Sequence, residues 1–366
     1  MKKLVAIMIA LALTTAIFAV SFDYSGELRT RAAMYNDSSE RDGGHIDSRF
    51  QLRMDSELHS DLQLGVLFEV GDVVWGNGDG TISGGSVNIK TNELYLDYAI
   101  KAIDAKLRFG RQYWADHASL VLDDNFNGIM LSKEDLFGFK TDLGYIKGVE
   151  DSLNAKDDYN VFLANLEKNI FGLMAMYGKN QLNRAANFTL MPYLTLELND
   201  LSLDATFFVD YQTERGTEDK IGFGTSLKGG VKIDNANIGF DILYASEEGL
   251  TVISPYYMSG LYLWGYGACH DGVGIHWDSD YATGSGLSYL SWVGKAEINI
   301  SEPLQAFSAI GTVLQDMEYM GVEYNGGVRY QLIPELFRAS LFGAVSVPEA
   351  GADYNYLLGV NGTVNF

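Results

Sequence analysis

Polar and apolar residues alternate one by one along most of this chain, in runs of about ten residues whose breaks are alternately tight and roomy. In the first run Phe22, Tyr24, Leu28, Ala32 and Met34 fall on one face, with Asp23, Ser25, Glu27, Arg29 and Arg31 on the other. In the second, Ile46, Phe50, Leu52, Met54 and Leu58 oppose Asp47, Arg49, Gln51, Arg53, Asp55 and Glu57. A spacing of two is that of a strand and excludes an amphipathic helix, which repeats at 3.6. A soluble sandwich also alternates, but its apolar face meets a second apolar face. A closed barrel with lipid outside and water inside tolerates this many charges on the second face.

The breaks sort by length. Tight turns fall at His59-Ser60-Asp61, Lys101-Ala102-Ile103, Asn199-Asp200, Asp234-Asn235, Ser301-Glu302-Pro303 and Ile333-Pro334. Longer ones separate Tyr35 from Ile46 and span Gly71 to Ser86, Glu150 to Asp157, Lys179 to Ala186, Gln212 to Asp219 and Ser246 to Ser285. The expected fold is therefore all-β: a transmembrane antiparallel barrel over 22–366, of about 18 strands, an even number as such barrels require. The alternative is 16, because Phe126–Leu131 and Leu304–Leu314 have a weak phase. The final run carries Tyr354, Tyr356, Leu358, Val360, Val364 and Phe366 on one face. Its terminal aromatic resembles the signal read by the outer-membrane assembly machinery.

Lys2 and Lys3, an apolar run from Leu4 to Phe18 and small residues at Ala19 and Ser21 read as a secretory signal over 1–21. The run is shorter than the roughly 20 apolar residues a membrane-spanning helix needs. The chain has 40 Gly and 5 Pro among 366 residues, which fits strands that twist and pair on both edges. Aromatics reach 13%, enough for girdles at two membrane interfaces. A single cysteine, Cys269, leaves no internal disulfide, and a net charge of −22 argues against a nucleic-acid partner.

Little in the chain points to catalysis. The histidines are His45, His59, His117, His270 and His276; all but His59, a turn residue, fall in or beside the longer loops, and none lines up with a serine on one wall. Cys269-His270-Asp271 and His276 have metal-ligand types, but so few of them in one loop make a weak site. Neither an enzyme, a metal nor a cofactor is expected. Charge on the polar phase is more informative. Arg29, Arg31, Arg49, Arg53, Lys106, Arg108, Arg329 and Arg338 sit on strands that closure makes neighbours, so they form one basic pore wall. The middle strands contribute Tyr193, Thr195, Glu197, Asp204, Thr206 and Asp210 to a neutral-to-acidic wall facing it. Such opposed walls orient polar solutes and predict a weak anion preference. Equally, the arginines could serve to pair with Glu27, Asp47, Asp55, Glu57 and Glu323 and hold the wall rigid. The long break 246–285 carries Tyr256, Tyr257, Tyr262, Trp264, Tyr266, Trp277 and Tyr281, too many aromatics for disorder. It is expected to be a constriction or cap.

Two stretches resemble the alginate-export family of outer-membrane porins. One is Leu107-Arg108-Phe109-Gly110-Arg111-Gln112 followed by Phe126-Asn127-Gly128-Ile129-Met130-Leu131; the other is Leu243-Tyr244-Ala245-Ser246 opening a long aromatic loop. Asn127 stands where the family tends to have Asp. The resemblance implies eighteen strands and adds Arg111 as a basic pore residue. The expected function is a water-filled channel of the bacterial outer membrane for passive diffusion of small polar or anionic solutes, in contact with outer-membrane lipid, with a homotrimer as the open oligomeric alternative. A barrel selective for an anionic oligosaccharide and a barrel-wall hydrolase are the competing readings.

Overall fold

The computed structural model describes residues 21–37, 41–77, 81, 89–149, 158–182, 184–263, 286–348 and 354–366. These form one antiparallel sheet of 18 strands, β1 (Phe22–Asp37) to β18 (Asn355–Asn365), each paired with its sequence neighbours. Among them are β4 (Ile89–Ile100), β7 (Phe139–Val149), β8 (Tyr159–Lys168), β9 (Phe171–Asn180), β10 (Ala186–Leu198), β12 (Lys220–Ile233), β14 (Tyr289–Ser301) and β17 (Phe337–Pro348). β1 pairs with both β2 (Arg41–His59) and β18, so the sheet closes on itself and no edge is left unpaired. The seam is fastened at its end: the Gly26 and Phe366 amides each donate to the other's carbonyl, at 2.7 and 3.1 Å. A Cβ on Gly26 would lie 2.5 Å from the Phe366 ring, so this closure needs a glycine there. The signal-peptide residues expected at the N-terminus lie outside the described residues, apart from Ser21.

Directly opposed residues of an antiparallel pair share a face, so the register divides every strand into an outward and an inward set. Tyr24, Leu28, Met34, Phe207, Phe223, Leu341 and Leu358 are exposed on the outward set. The described charged side chains of β1 and β2, Asp23, Glu27, Arg29 and Arg31 with Asp47, Arg49, Arg53, Asp55 and Glu57, lie on the inward set, in the phase the alternation predicts. The strands are joined by short turns on the rim that carries the termini and by connections that are mostly longer on the other rim. The first break is shorter than expected, since β1 runs to Asp37 and β2 begins at Arg41.

The two doubtful segments are strands, β6 (Asp123–Leu136) and β15 (Leu304–Gln315). Their phase is weak for a physical reason. Phe126, Met130, Phe307, Ala309 and Val313 point inward and are buried, because the lumen beside them is not water but protein.

Candidate functional site

That protein comes from two connections that turn into the barrel. The first joins β5 (Ala105–Ala115) to β6. Asp116 organises it: its carboxylate accepts the backbone amides of Ala118, Leu120, Val121 and Leu122 at 2.7–3.1 Å. The turn thus drives Leu120, Val121 and Leu122 inward, where they are buried against the wall. The second follows β13 (Ala236–Ala245) and is described to Leu263. Its Ile253 and Ser254 amides donate to Val121 O, and Tyr256 N donates to Ser119 O, so the two connections pair with each other.

Inward carboxylates of the wall hold this second connection in place. Asp210, on β11 (Leu201–Thr213), takes the Thr251 amide at 2.8 Å and its hydroxyl at 2.6 Å. Asp241 on β13 accepts the Tyr257 hydroxyl, with Lys295 at 3.2 Å and Lys228 at 3.7 Å. Glu323, on β16 (Glu318–Ile333), accepts the Tyr262 and Leu263 amides at 2.7 and 2.8 Å. The Tyr262 ring then stacks on Phe342 at 5.4 Å. Asp210, Asp241 and Glu323 are all fully buried, and a buried carboxylate is stable only when so satisfied. Burial and the Asp241 charge push the Tyr257 hydroxyl well above its usual pKa, so it remains a donor.

Several expectations change here. Among the described residues Glu323 pairs with no arginine; its oxygens accept the two loop amides and the side-chain amide of Asn325. Asp210 and Thr206 belong to the wall under the loop rather than to an open acidic face, while Asp204 stays accessible. Tyr257 and Tyr262 are buried between the second connection and the wall, and Tyr256 is exposed. Trp264, Tyr266, Trp277 and Tyr281, together with Cys269, His270 and His276, lie outside the described residues. His117 is not an external loop residue. It rides on the first inward connection, stacks on Tyr193 with centroids 4.2 Å apart, and sets Nε2 3.6 Å from Asp204. A cavity of about 110 Å³ is lined by His117, Ser119, Asp204, Thr206, Ser226 and Lys228. Burial holds the His117 pKa below its usual value, against the pull of Asp204 and Asp116.

The inward set of β1–β5 carries a ladder of ion pairs. Arg31 meets Asp47 at 3.1 Å, Arg29 meets Asp72 at 2.8 Å, and Arg49 meets Glu27 at 2.7 Å. Arg53 reaches Glu93 at 2.6 Å and Asp55 at 3.5 Å. Arg108 forks onto both oxygens of Asp97 at 2.6 and 2.7 Å and lies over the Tyr95 ring, with Lys106 at 3.8 Å from the same carboxylate. Arg329 pairs with Glu297 at 3.0 Å, and Arg338 is inward and exposed. Arg111 breaks the set. It is opposed by the exposed Leu94 and by Asn127, one residue out of phase with Arg108, and so it faces outward.

Asp72, Glu69, Glu93 and Asp97 are ladder residues the sequence reading missed. Asp72 had no signal in the alternation. A bulge in β3 (Leu62–Val74), where Ser48 pairs with Val73 and Phe50 with Val70, turns it inward. Gly71, at a φ of 129°, makes that bulge possible.

Solved structures share this architecture. Pseudomonas aeruginosa OpdO matches with a TM-score of 0.64 at 12% identity, over 94% of this chain and 97% of that one. P. aeruginosa OpdQ matches at 0.63 and 15%, over 94% and 99%. OpdK of the same organism, solved with vanillate, matches at 0.57 and 13%, over 94% and 99%. These are outer-membrane porins, 18-strand β-barrels. The fold is theirs. No family model and no curated protein matches the sequence, so the alginate-export resemblance gains no support from either.

Proposed function

We propose that this chain is a porin of the bacterial outer membrane, a water-filled channel through which small polar solutes diffuse passively. One observation carries the reading: a closed barrel, apolar outside, has a lumen lined by the paired charges of β1–β5 and narrowed by two anchored connections. A solute crossing it meets the ion-pair ladder on one side and the polar groups of His117, Asp204 and Lys228 on the other. That arrangement selects for small polar molecules by size and by hydrogen bonding. It gives no broad basic surface for a polyanion, so an alginate-like oligosaccharide is the weaker reading. A lumen of this kind suits passage, which favours the channel over a wall hydrolase.

Export through a signal at 1–21 and recognition of Phe366 by the assembly machinery complete the proposal. Purified protein in a planar bilayer should give discrete, ohmic conductance steps. A silent bilayer formed from protein that shows the heat-modifiable gel mobility of a folded barrel would sink the channel reading.

A further inference from the structure

The outward set of strand positions is almost free of charge, and the exceptions are confined to one sector. Among the described side chains, the outward positions of β1–β4 and β10–β18 carry no charged residue. Those of β5–β9 carry Arg111, Lys133, Lys147, Lys168 and Lys179, with a single carboxylate, Asp123, at the end of β6 where the Tyr113 hydroxyl holds it at 2.6 Å. Lys133 and Lys168 sit beside the short turns; Lys133 donates to the Asp104 carbonyl, and Lys168 lies 5.0 Å from the Phe139 ring centroid. The other three belong together.

Arg111 is opposed by Asn127, Asn127 by Lys147, Lys147 by Asn160 and Asn160 by Lys179. This is one unbroken cross-strand row, cation and amide by turns, over five neighbouring strands. It lies toward the long-loop rim, from Arg111, four residues inside the end of β5, to Lys179, one residue inside the end of β9. With strands about 4.8 Å apart, successive cations stand roughly 10 Å from one another. Two residues closer to the turn rim runs a second row, Phe109, Ile129, Tyr145, Phe162, Tyr177 and Phe188, almost wholly aromatic. The two rows cross into each other where the Tyr145 hydroxyl donates to Asn160 at 2.7 Å.

A cation on a lipid-facing strand position is costly at the bilayer centre, about 2–4 kcal/mol, and tolerated only near an interface. Aromatic rings mark that interface, and a row of donors just beyond them faces headgroups. We propose that this row is a docking site for the phosphorylated headgroup of an outer-leaflet lipid, one carrying more than one phosphate. Arg111 supplies a planar fork suited to phosphate, Lys179 a point charge, and Asn127 and Asn160 neutral donors between them. Lys147 is already 2.7 Å from Asp158, so it serves as a shared centre rather than a free cation. Charge complementarity argues against a second copy as the occupant. A symmetric contact would oppose basic rows, and the described outward wall offers no acidic row to receive one.

The site rests on the membrane placement proposed above, and the test separates the two. Wild type, the triple variant R111Q/K147Q/K179Q and the control K133Q/K168Q are purified from outer membranes in mild detergent and checked for heat-modifiable mobility and for conductance. Retained lipid is measured by native mass spectrometry, then titrated with bis-phosphorylated lipid A, its dephosphorylated counterpart and inorganic phosphate. The triple variant should conduct normally yet hold lipid A about tenfold more weakly, as loss of charge-assisted phosphate contacts implies. The control should bind like wild type, dephosphorylated lipid should not bind at this site, and inorganic phosphate should not displace the lipid. Equal lipid A retention by the triple variant overturns the proposal. So does wild-type binding that ignores the phosphates, or a change of oligomeric state without a change in lipid. If the triple variant fails to fold, K179Q alone, at the rim, carries the same comparison.

Discussion

His117 is the residue whose placement changes most between sequence and structure. Sitting on a turn made by Asp116, it is inside the lumen, where the carboxylates of Asp204, Asp116 and Glu167 and the Lys228 cation act on it. Its other neighbours are uncharged, the Tyr193 ring and the Thr195 hydroxyl. Burial is the largest influence and lowers its pKa, so the ring is neutral at neutral pH. The sign follows from linkage. A histidine held neutral in the fold contributes stability that is present above its unfolded pKa of about 6.5 and is lost as pH falls through that value toward the lower folded one. The same protonation adds a positive charge beside the passage. Between about pH 7.5 and pH 5 the wild-type channel should therefore shift toward anions, and His117→Gln should remove most of that shift. Reversal potentials under a salt gradient decide it; an equal shift in the variant would place the titrating group elsewhere.

At the scale of the element, a carboxylate organises each inward connection: Asp116 folds the first upon its own amides, and wall carboxylates hold the second. Glu323 takes two amides of the second connection, and Glu323→Gln keeps the shape but offers one acceptor oxygen in place of two. Hydrogen bonds to a charged acceptor are worth about 1.5–3 kcal/mol each, so the Tyr262–Leu263 segment should loosen while the barrel stays folded. Single-channel records should then show larger and noisier conductance than wild type, with Glu318→Gln at the rim unchanged; a quiet channel of wild-type size would mean that Tyr262 stacking alone holds the segment.

The strands themselves were legible in the sequence, because period two in β1, β2, β11 and β12 follows directly from one wet face and one lipid face. The inward path of the second connection was legible only as an aromatic-rich break between β13 and β14. What hid the rest was long-range. Phe126, Met130, Phe307 and Val313 look out of phase until a connection covers them. Asp72 points inward only because of a bulge. Arg111 took its pore role from a resemblance, whereas its own register puts it on the other face.

For the whole molecule, the charge of −22 is a poor guide to what the channel passes. Loop carboxylates farther than a Debye length of about 8 Å at physiological salt are screened from the lumen. What a solute feels is the ladder, and there the charges nearly cancel. Arg29, Arg31, Arg49, Arg53, Lys90, Lys106 and Arg108 stand against Glu27, Asp47, Asp55, Glu69, Asp72, Glu93 and Asp97. We therefore expect the anion preference predicted from the arginines alone to fall to little or none. The cancellation is local and fragile. Replacing Arg31 and Arg108 by Glu leaves Asp47 and Asp97 without their nearest cations and adds two more carboxylates to the same wall. The double variant should become clearly cation-selective in reversal-potential measurements, while wild type stays close to unselective. Single replacement by Gln at either position should fall between, since it removes one cation and adds no anion. A wild type already strongly selective for either sign would mean that the ladder does not border the conducting path, and that the charges a solute meets lie outside β1–β5.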